Sequence, residues 1–198
     1  MSAKRGHRKL VRHYDEPGHC HELTFSCYRR LPLLANDVWR SMLSVSVGRA
    51  VVGHGFRLLA FVYMPEHVHL LVFPEEPDSR VSGLLKAVKQ PFSNRIKQLL
   101  VEHSSGLVRR LTVQERPGKT SFRFWQEGPG YDRNLITPEA VKSSMDYIHM
   151  NPVRRGLVDE ASRWRWSSCR WYAEDGQYSD EALPAVSPLP AEFWDDVG

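Results

Sequence analysis

The chain has 198 residues, 41% hydrophobic and 11% aromatic, enough to bury one core. No run approaches the roughly 18 apolar residues of a membrane span, and the basic N-terminus leads into no signal-peptide segment, so a cytoplasmic protein with no membrane partner is expected. The net charge of +4 hides an asymmetry: all 27 Lys and Arg precede residue 173 while seven of the 23 acids follow it, leaving +11 on residues 1–172, the surface that a polyanion requires.

Residues 1–14 carry Lys4, Arg5, Arg8, Lys9 and Arg12 with no acid before Asp15 and read as a flexible basic arm. His21 to Arg30 alternates as a first strand. Asn36 to Val51 reads as a helix capped by Asn36 or Asp37. Phe56 to Tyr63 and His67 to Phe73, joined by Met64-Pro65-Glu66, read as an antiparallel hairpin. Ser79 to Leu100 has the longest helical pattern, with Leu84, Leu85, Val88, Phe92, Ile96, Leu99 and Leu100 at three- to four-residue spacing and a kink expected at Pro91. Its polar side holds Arg80, Lys86, Lys89, Arg95 and Lys97 without an acid, the signature of a phosphate-facing stripe.

His103 to Lys119 is polar and broken by Gly106 and Pro117, and is expected to be a loop. Ser121 to Trp125 supplies a fourth strand that resumes near Tyr131 to Ile136. A last helix opens at Thr137-Pro138-Glu139, with cap, proline and first-turn acid in order, and is expected to stop near Asn151, since Pro152 disfavours helical geometry in the residue before it. This order implies an α+β, ferredoxin-like fold: a four-stranded antiparallel sheet with two helices packed on one face, plus an extra C-terminal helix. One domain is expected over residues 15–172 and an acidic, partly ordered tail over 173–198. Cys20, Cys27 and Cys169 are odd in number and form no CxxC pair, which suggests neither a disulfide framework nor a cysteine zinc knuckle.

Within the second hairpin strand, Val68, Leu70 and Val72 share one face and point to the core. His67 and His69 then share the other, expected to be open, about 7 Å apart along the chain. Two imidazoles so placed suit a shared divalent ion; alone, the pair reads first as hydrogen-bonded surface histidines. The last helix places Val141, Met145 and Ile148 on one stripe and Ala140, Ser144, Tyr147 and Asn151 on another, with Tyr147 and Asn151 neighbours at four-residue spacing. A phenol beside an amide oxygen near a helix C-terminus, where the dipole favours cations, can complete a site with the histidines.

The segments FVYMPEHVHLLV, LLKAVKQPFSNRI, FWQEGPGYDR and MDYIHMNPVRRGLV, followed by WRWSSCRWY, resemble the single-tyrosine HUH transposases, and most closely the REP-associated tyrosine transposases of bacteria. The likeness runs in order over residues 19–172. It implies a metal-dependent transposase-like endonuclease and strand transferase acting on single-stranded or hairpin DNA of palindromic repeats. Tyr147 is the implied nucleophile, giving a 5′-phosphotyrosine link and a free 3′-hydroxyl. His67, His69 and Asn151 are the implied ligands, and mixed nitrogen and oxygen donors suit Mg²⁺ or Mn²⁺ functionally. Members of the superfamily act as monomers or homodimers.

Competing assignments stand beside these. Tyr131, next to Asp132 and Arg133, is a rival nucleophile, although the family places its tyrosine-and-acid group in a DNA-contacting strand. His19-Cys20-His21 is a second HxH with no convincing further ligand. His149, two positions beyond Tyr147, points elsewhere on its helix and reads as structural. Arg154, Arg155, Arg163 and Arg165 read as DNA contacts, interleaved with tryptophans that stack on bases or strap the C-terminal segment down. The alternative function is a catalytically inactive nucleic-acid-binding regulator.

Overall fold

A computed structural model describes residues 15–16, 18–128, 130–189 and 193. The expected arm over 1–14 and the end of the acidic tail lie outside the described residues. The elements are β1 (Cys20–Ser26), α1 (Asp37–Gly53), β2 (Phe56–Tyr63), β3 (His67–Pro74), α2 (Val81–Glu102), α3 (Leu107–Leu111), β4 (Thr112–Arg116), β5 (Lys119–Phe122), β6 (Tyr131–Leu135), α4 (Pro138–Arg154) and α5 (Cys169–Ala173). Strands β2-β3-β1-β6 form one antiparallel sheet in that order, which is the expected ferredoxin-like arrangement.

Local signals set several boundaries. The Asn36 side chain accepts from Trp39 N–H at the start of α1, and the Thr137 hydroxyl accepts from Ala140 N–H at the start of α4. Each such cap contributes about 1 kcal/mol.

Both faces of the sheet are covered. Leu23, Phe25, Val68, Leu70 and Val72 pack under α1 (Leu43, Val47) and α2 (Leu84, Val88, Phe92, Ile96). On the other face Leu59, Val62, Leu71 and Leu135 pack against Val141 and Ile148 of α4. Each large apolar side chain so buried contributes roughly 1.5–3 kcal/mol. Two-sided burial also explains why β2 reads as a continuous apolar run rather than an alternating one.

Four sequence expectations are corrected. The face bearing the histidines is not open, because Val62 and Leu71 share it and α4 covers them. The stretch 103–119 is not a bare loop: it holds α3 and the β4 strand, which pairs with β5 in a separate two-stranded ribbon. The fourth strand of the main sheet is therefore β6 alone; of the segment 121–125, Trp125 makes only an isolated bridge to Cys27. Helix α4 does not stop at Asn151 but runs through Pro152 to Arg154. Pro152 sits in its last turn, and Gly156 (φ 65°) closes the helix as its N–H donates to Val153 O and the Leu157 N–H donates to Pro152 O, a Schellman cap. Pro91 lies inside α2, which is helical on both sides of it.

The two edges of the sheet differ. Along β2, the Tyr63 N–H donates to Trp166 O, the Ser168 N–H to Phe61 O and the Ser187 N–H to Leu58 O, while the Tyr172 hydroxyl donates to Leu59 O. The segment from Trp166 to Ser187 thus seals that edge, and Trp166 is buried in the core. At the other edge, Gly130 (φ 90°) leads into β6, and a Cβ there would lie 2.2 Å from Thr24 O. Gly130→Ala is expected to destabilise the fold by about 2 kcal/mol or more, read as a lower urea midpoint.

Candidate active site

His67 and His69 come from β3, and their rings lie 4.9 Å apart, nearly perpendicular. Helix α4 brings Tyr147 and Asn151 over them. The Tyr147 ring centroid is 5.6 Å from that of His69, and Asn151 Nδ2 lies 3.3 Å from His69 Nε2. The sequence-predicted tyrosine, amide and histidine pair thus converge.

As placed, the Asn151 amide and the Thr24 hydroxyl match one tautomer of His69. His69 Nδ1 is 2.8 Å from Thr24 Oγ1, and the strand register places Thr24 opposite His69. With Nδ1–H donated to Thr24, the Nε2 lone pair is left to accept from the Asn151 amide. His67 Nδ1 lies 3.3 Å from Glu66 Oε1, and the Arg155 guanidinium pairs with the same oxygen at 2.8 Å. Each imidazole therefore has its Nδ1 engaged by a neighbour, the kind of contact that orients histidines as metal ligands, and the Nε2 of His69 faces Asn151.

Burial keeps both rings neutral. Desolvation, with the neighbouring His67 adding to it, holds His69 down to about 3. Desolvation also lowers His67 against the opposing pull of Glu66, and Arg155 and Arg30 push in the same downward direction. Neutral imidazoles with oriented lone pairs, joined by an amide, are a donor set that fits a divalent ion. Among the described residues no three of His, Cys, Asp and Glu cluster; the histidine pair with Asn151 is a set of two nitrogen donors and an amide.

A cleft of about 420 Å³ opens beside this group, lined by Glu22, Thr24, His69, Tyr131, Arg133, Ser144 and Tyr147. Tyr147 is 43% exposed to it, and Tyr131 54%. Tyr131 and Arg133 alternate on the edge strand β6 and so reach the same cleft. Glu22 and Thr24, absent from the sequence assignment, are polar positions of β1 that alternate with Leu23 and Phe25. Their parity was readable, but only the register places them beside His69. Burial raises the Glu22 carboxyl, with Ser144 and the Arg133 guanidinium offsetting part of the effect.

The remaining cations are spread out. Arg154 lies over the Tyr147 ring at 4.9 Å. Lys86, Lys89 and Arg95 lie on α2, across the sheet from α4. Lys89 is half-buried, its ammonium 4.6 Å from the centre of the Phe25 ring, and burial lowers it to about 8. Arg163 pairs with Asp159 and Arg165 with Asp180. The second HxH forms no shared site: His21 pairs with Asp132 at 3.0 Å and His19 contacts Asn134. His149 is structural, its Nε2 2.8 Å from Ser168 Oγ and its pKa lowered by burial to about 4.

These shifts carry a sign. In the unfolded chain His69 and His149 take up protons near pH 6.5; in the fold they do so only near 3 and 4. Stability is therefore full above about pH 6.5 and falls below it, by up to about 1.4 kcal/mol per pH unit for each residue. Melting in EDTA is expected to show that decline between pH 7 and 5, with a shallower slope for His149→Gln.

No protein-family model matches the chain. A Haemophilus influenzae protein named for the REP-associated tyrosine transposases is 29% identical over 113 residues, 57% of this chain and 58% of that protein, so the chain spans little more than half the length of that relative. The REP-associated tyrosine transposase of Escherichia coli K12 is 25% identical over 140 residues, 71% of this chain and 69% of that protein. The fold is shared with a solved REP-associated tyrosine transposase bound to a REP hairpin, at a TM-score of 0.66 and 21% identity over 92% of this chain and 96% of that one. No helix among the described residues is long and apolar enough to cross a membrane. In sequence and in fold, the chain is similar to the REP-associated tyrosine transposases.

Proposed function

We propose that the chain is a metal-dependent endonuclease and strand transferase that cuts single-stranded or hairpin DNA through Tyr147. The observation that carries this reading is the meeting of strand and helix at one point: the Tyr147 ring stands against His69, and Asn151, one turn along the same helix, reaches the free nitrogen of that imidazole. The similar proteins named above are transposases, and the solved one is bound to a REP hairpin, which supports nucleic acid of that kind as the partner.

Tyr147 Oη attacks the scissile phosphorus and loses its proton. The bond to the 3′ oxygen breaks and that oxygen takes up a proton, leaving a 5′-phosphotyrosine and a free 3′-hydroxyl. Attack by a second 3′-hydroxyl reverses the step without an external energy source, because the phosphodiester is conserved in the covalent link. A free phenol titrates near 10 and is a poor nucleophile unassisted. Mg²⁺ or Mn²⁺ held by His67, His69 and Asn151 would polarise the phosphate and stabilise charge on its oxygens. For its part the chain keeps both imidazoles neutral by burial, holds their rings in place through Thr24 and Glu66, and presents Asn151, whose amide offers oxygen in place of N–H when flipped. Arg154, stacked on the Tyr147 ring, and Arg133, across the cleft, offer charge to the phosphate oxygens, while Tyr131 offers a face for an unpaired base.

Labelled hairpin oligonucleotide incubated with the protein and Mn²⁺ is expected to give a denaturant-resistant shifted band that Tyr147→Phe abolishes. A Phe variant that cuts as well as the parent would remove Tyr147 from the reaction. Thr24→Val, which leaves every proposed ligand in place, is expected to reduce cleavage about 10- to 100-fold, with partial recovery at raised Mn²⁺.

A further inference from the structure

The turn that leads into His67 is laced to a loop that the reading above leaves unused. After β1 the chain crosses this turn: the Cys27 N–H donates to Glu66 O and the Leu34 N–H to Pro65 O, both at 2.8 Å. Between these two stitches stand Arg29 and Arg30, each with φ 53°. Side chains other than those of glycine and asparagine seldom occupy the left-handed region, and two in succession need strong restraint.

The restraint is visible. The Tyr28 N–H donates to Phe124 O, Arg30 N–H to Cys27 O and Leu31 N–H to Tyr28 O, while the Arg29 N–H donates to Gln126 Oε1. The Arg29 guanidinium lies over the Tyr28 ring at 5.1 Å. Backbone strain persists where the surroundings over-determine it, and it gathers at functional sites.

What the strained backbone presents is unspent charge. Arg29 and Arg30 are exposed, and among the described residues neither pairs with a carboxylate. Four other exposed arginines are instead engaged by acids: Arg155 with Glu66, Arg163 with Asp159, Arg165 with Asp180 and Arg170 with Glu174. The loop that carries the pair also stands beside the site, since its Cys27 N–H is bonded to Glu66 O, next to His67 in the chain.

We propose that Arg29 and Arg30 are a preformed clamp for backbone phosphates of the DNA strand that lies along the His67 side of the cleft. The inference rests on the strand-transfer reading for the identity of the ligand. A guanidinium offers a planar fork of donors that matches phosphate oxygens, and a loop already ordered in the free protein loses little on binding. Two residues free to adopt the left-handed conformation would ease the loop and forfeit both cations. The clamp contacts phosphates flanking the scissile one, so these are positioning residues.

The test is the double variant Arg29→Asn, Arg30→Asn, because asparagine accepts the left-handed region. Binding of a fluorescent hairpin oligonucleotide with a single-stranded flank is measured against salt, beside thermal melting and adduct formation with Mn²⁺. The expected result is a melting temperature at or above the parent's and a plot of log affinity against log salt that is shallower by roughly 0.7 per arginine. Adduct yield falls at subsaturating DNA and recovers at saturation, and Arg30→Lys keeps the parent's slope. A double variant with the parent's slope and affinity overturns the clamp, whatever its melting temperature, because the strain then serves the fold alone. A parent that forms no adduct, with the slope still falling in the variant, overturns the strand-transfer reading and leaves the clamp standing. A parent that binds no DNA overturns both.

Discussion

The contact between His69 and Asn151 joins the two layers on which the site depends. A strand imidazole and a helix amide meet at 3.3 Å, and the same ring is gripped from the adjacent strand by Thr24 at 2.8 Å. The first of these needs α4 to lie on the sheet, while the second is fixed by the pairing of β1 with β3. Apolar burial holds α4 there, because Leu59, Val62, Leu71 and Leu135 leave a face that only another apolar surface can cover. The polar group occupies one corner of this interface, where the apolar residues of α4 give way to Ser144, Tyr147 and Asn151. Its precision is borrowed from the core beside it.

The unequal edges of the sheet decide where that corner is reached from. Unpaired strand edges invite association, and the β2 edge is covered by the chain that follows α4, which bonds backbone groups of Leu58, Leu59, Phe61 and Tyr63. The β6 edge instead carries the exposed Tyr131 and Arg133 and borders the cleft. Gly130 sets the start of that edge, since any side chain there would collide with the backbone of Thr24, the residue that holds His69. The geometry of an edge loop is in this way tied to the orientation of a buried imidazole.

Much of this was legible in the residues. Asn36 and Thr137 announced their helices by side-chain chemistry that acts within three residues, and the parity of Val68, Leu70 and Val72 assigned His67 and His69 to the opposite face. What failed depended on longer range. Pro152 disfavours the helix locally, yet the packing of Ile148 and the glycine-closed cap after it carry the helix to Arg154. The ribbon of β4 and β5 was obscured because its strands are short and half-exposed, with little apolar alternation. Glu22 and Thr24 had the right parity, but their nearness to His69 comes from the pairing of β1 with β3, forty-odd residues away, which no local pattern encodes. The left-handed geometry of Arg29 and Arg30 is likewise invisible in the sequence, since arginine is the residue least suggestive of a tight turn.

On the strand-transfer reading proposed above, the site divides two tasks that one residue type could not perform together. Metal ligation asks for lone pairs, hence for neutral imidazoles, and burial under α4 supplies that condition at the cost of stability in acid. Phosphate binding asks for positive charge, which a buried histidine cannot keep. Arginine, which holds its proton throughout the physiological range, stands where solvent lowers the cost of charge: Arg133 on the edge strand, Arg154 over the tyrosine, Arg155 on Glu66, and Arg29 and Arg30 on the strained loop. Glu66 is the hinge between the two sets, because its carboxylate faces His67 Nδ1 on one side and the Arg155 guanidinium on the other. Through it one outer cation, Arg155, is linked by a single carboxylate oxygen to the imidazole of His67.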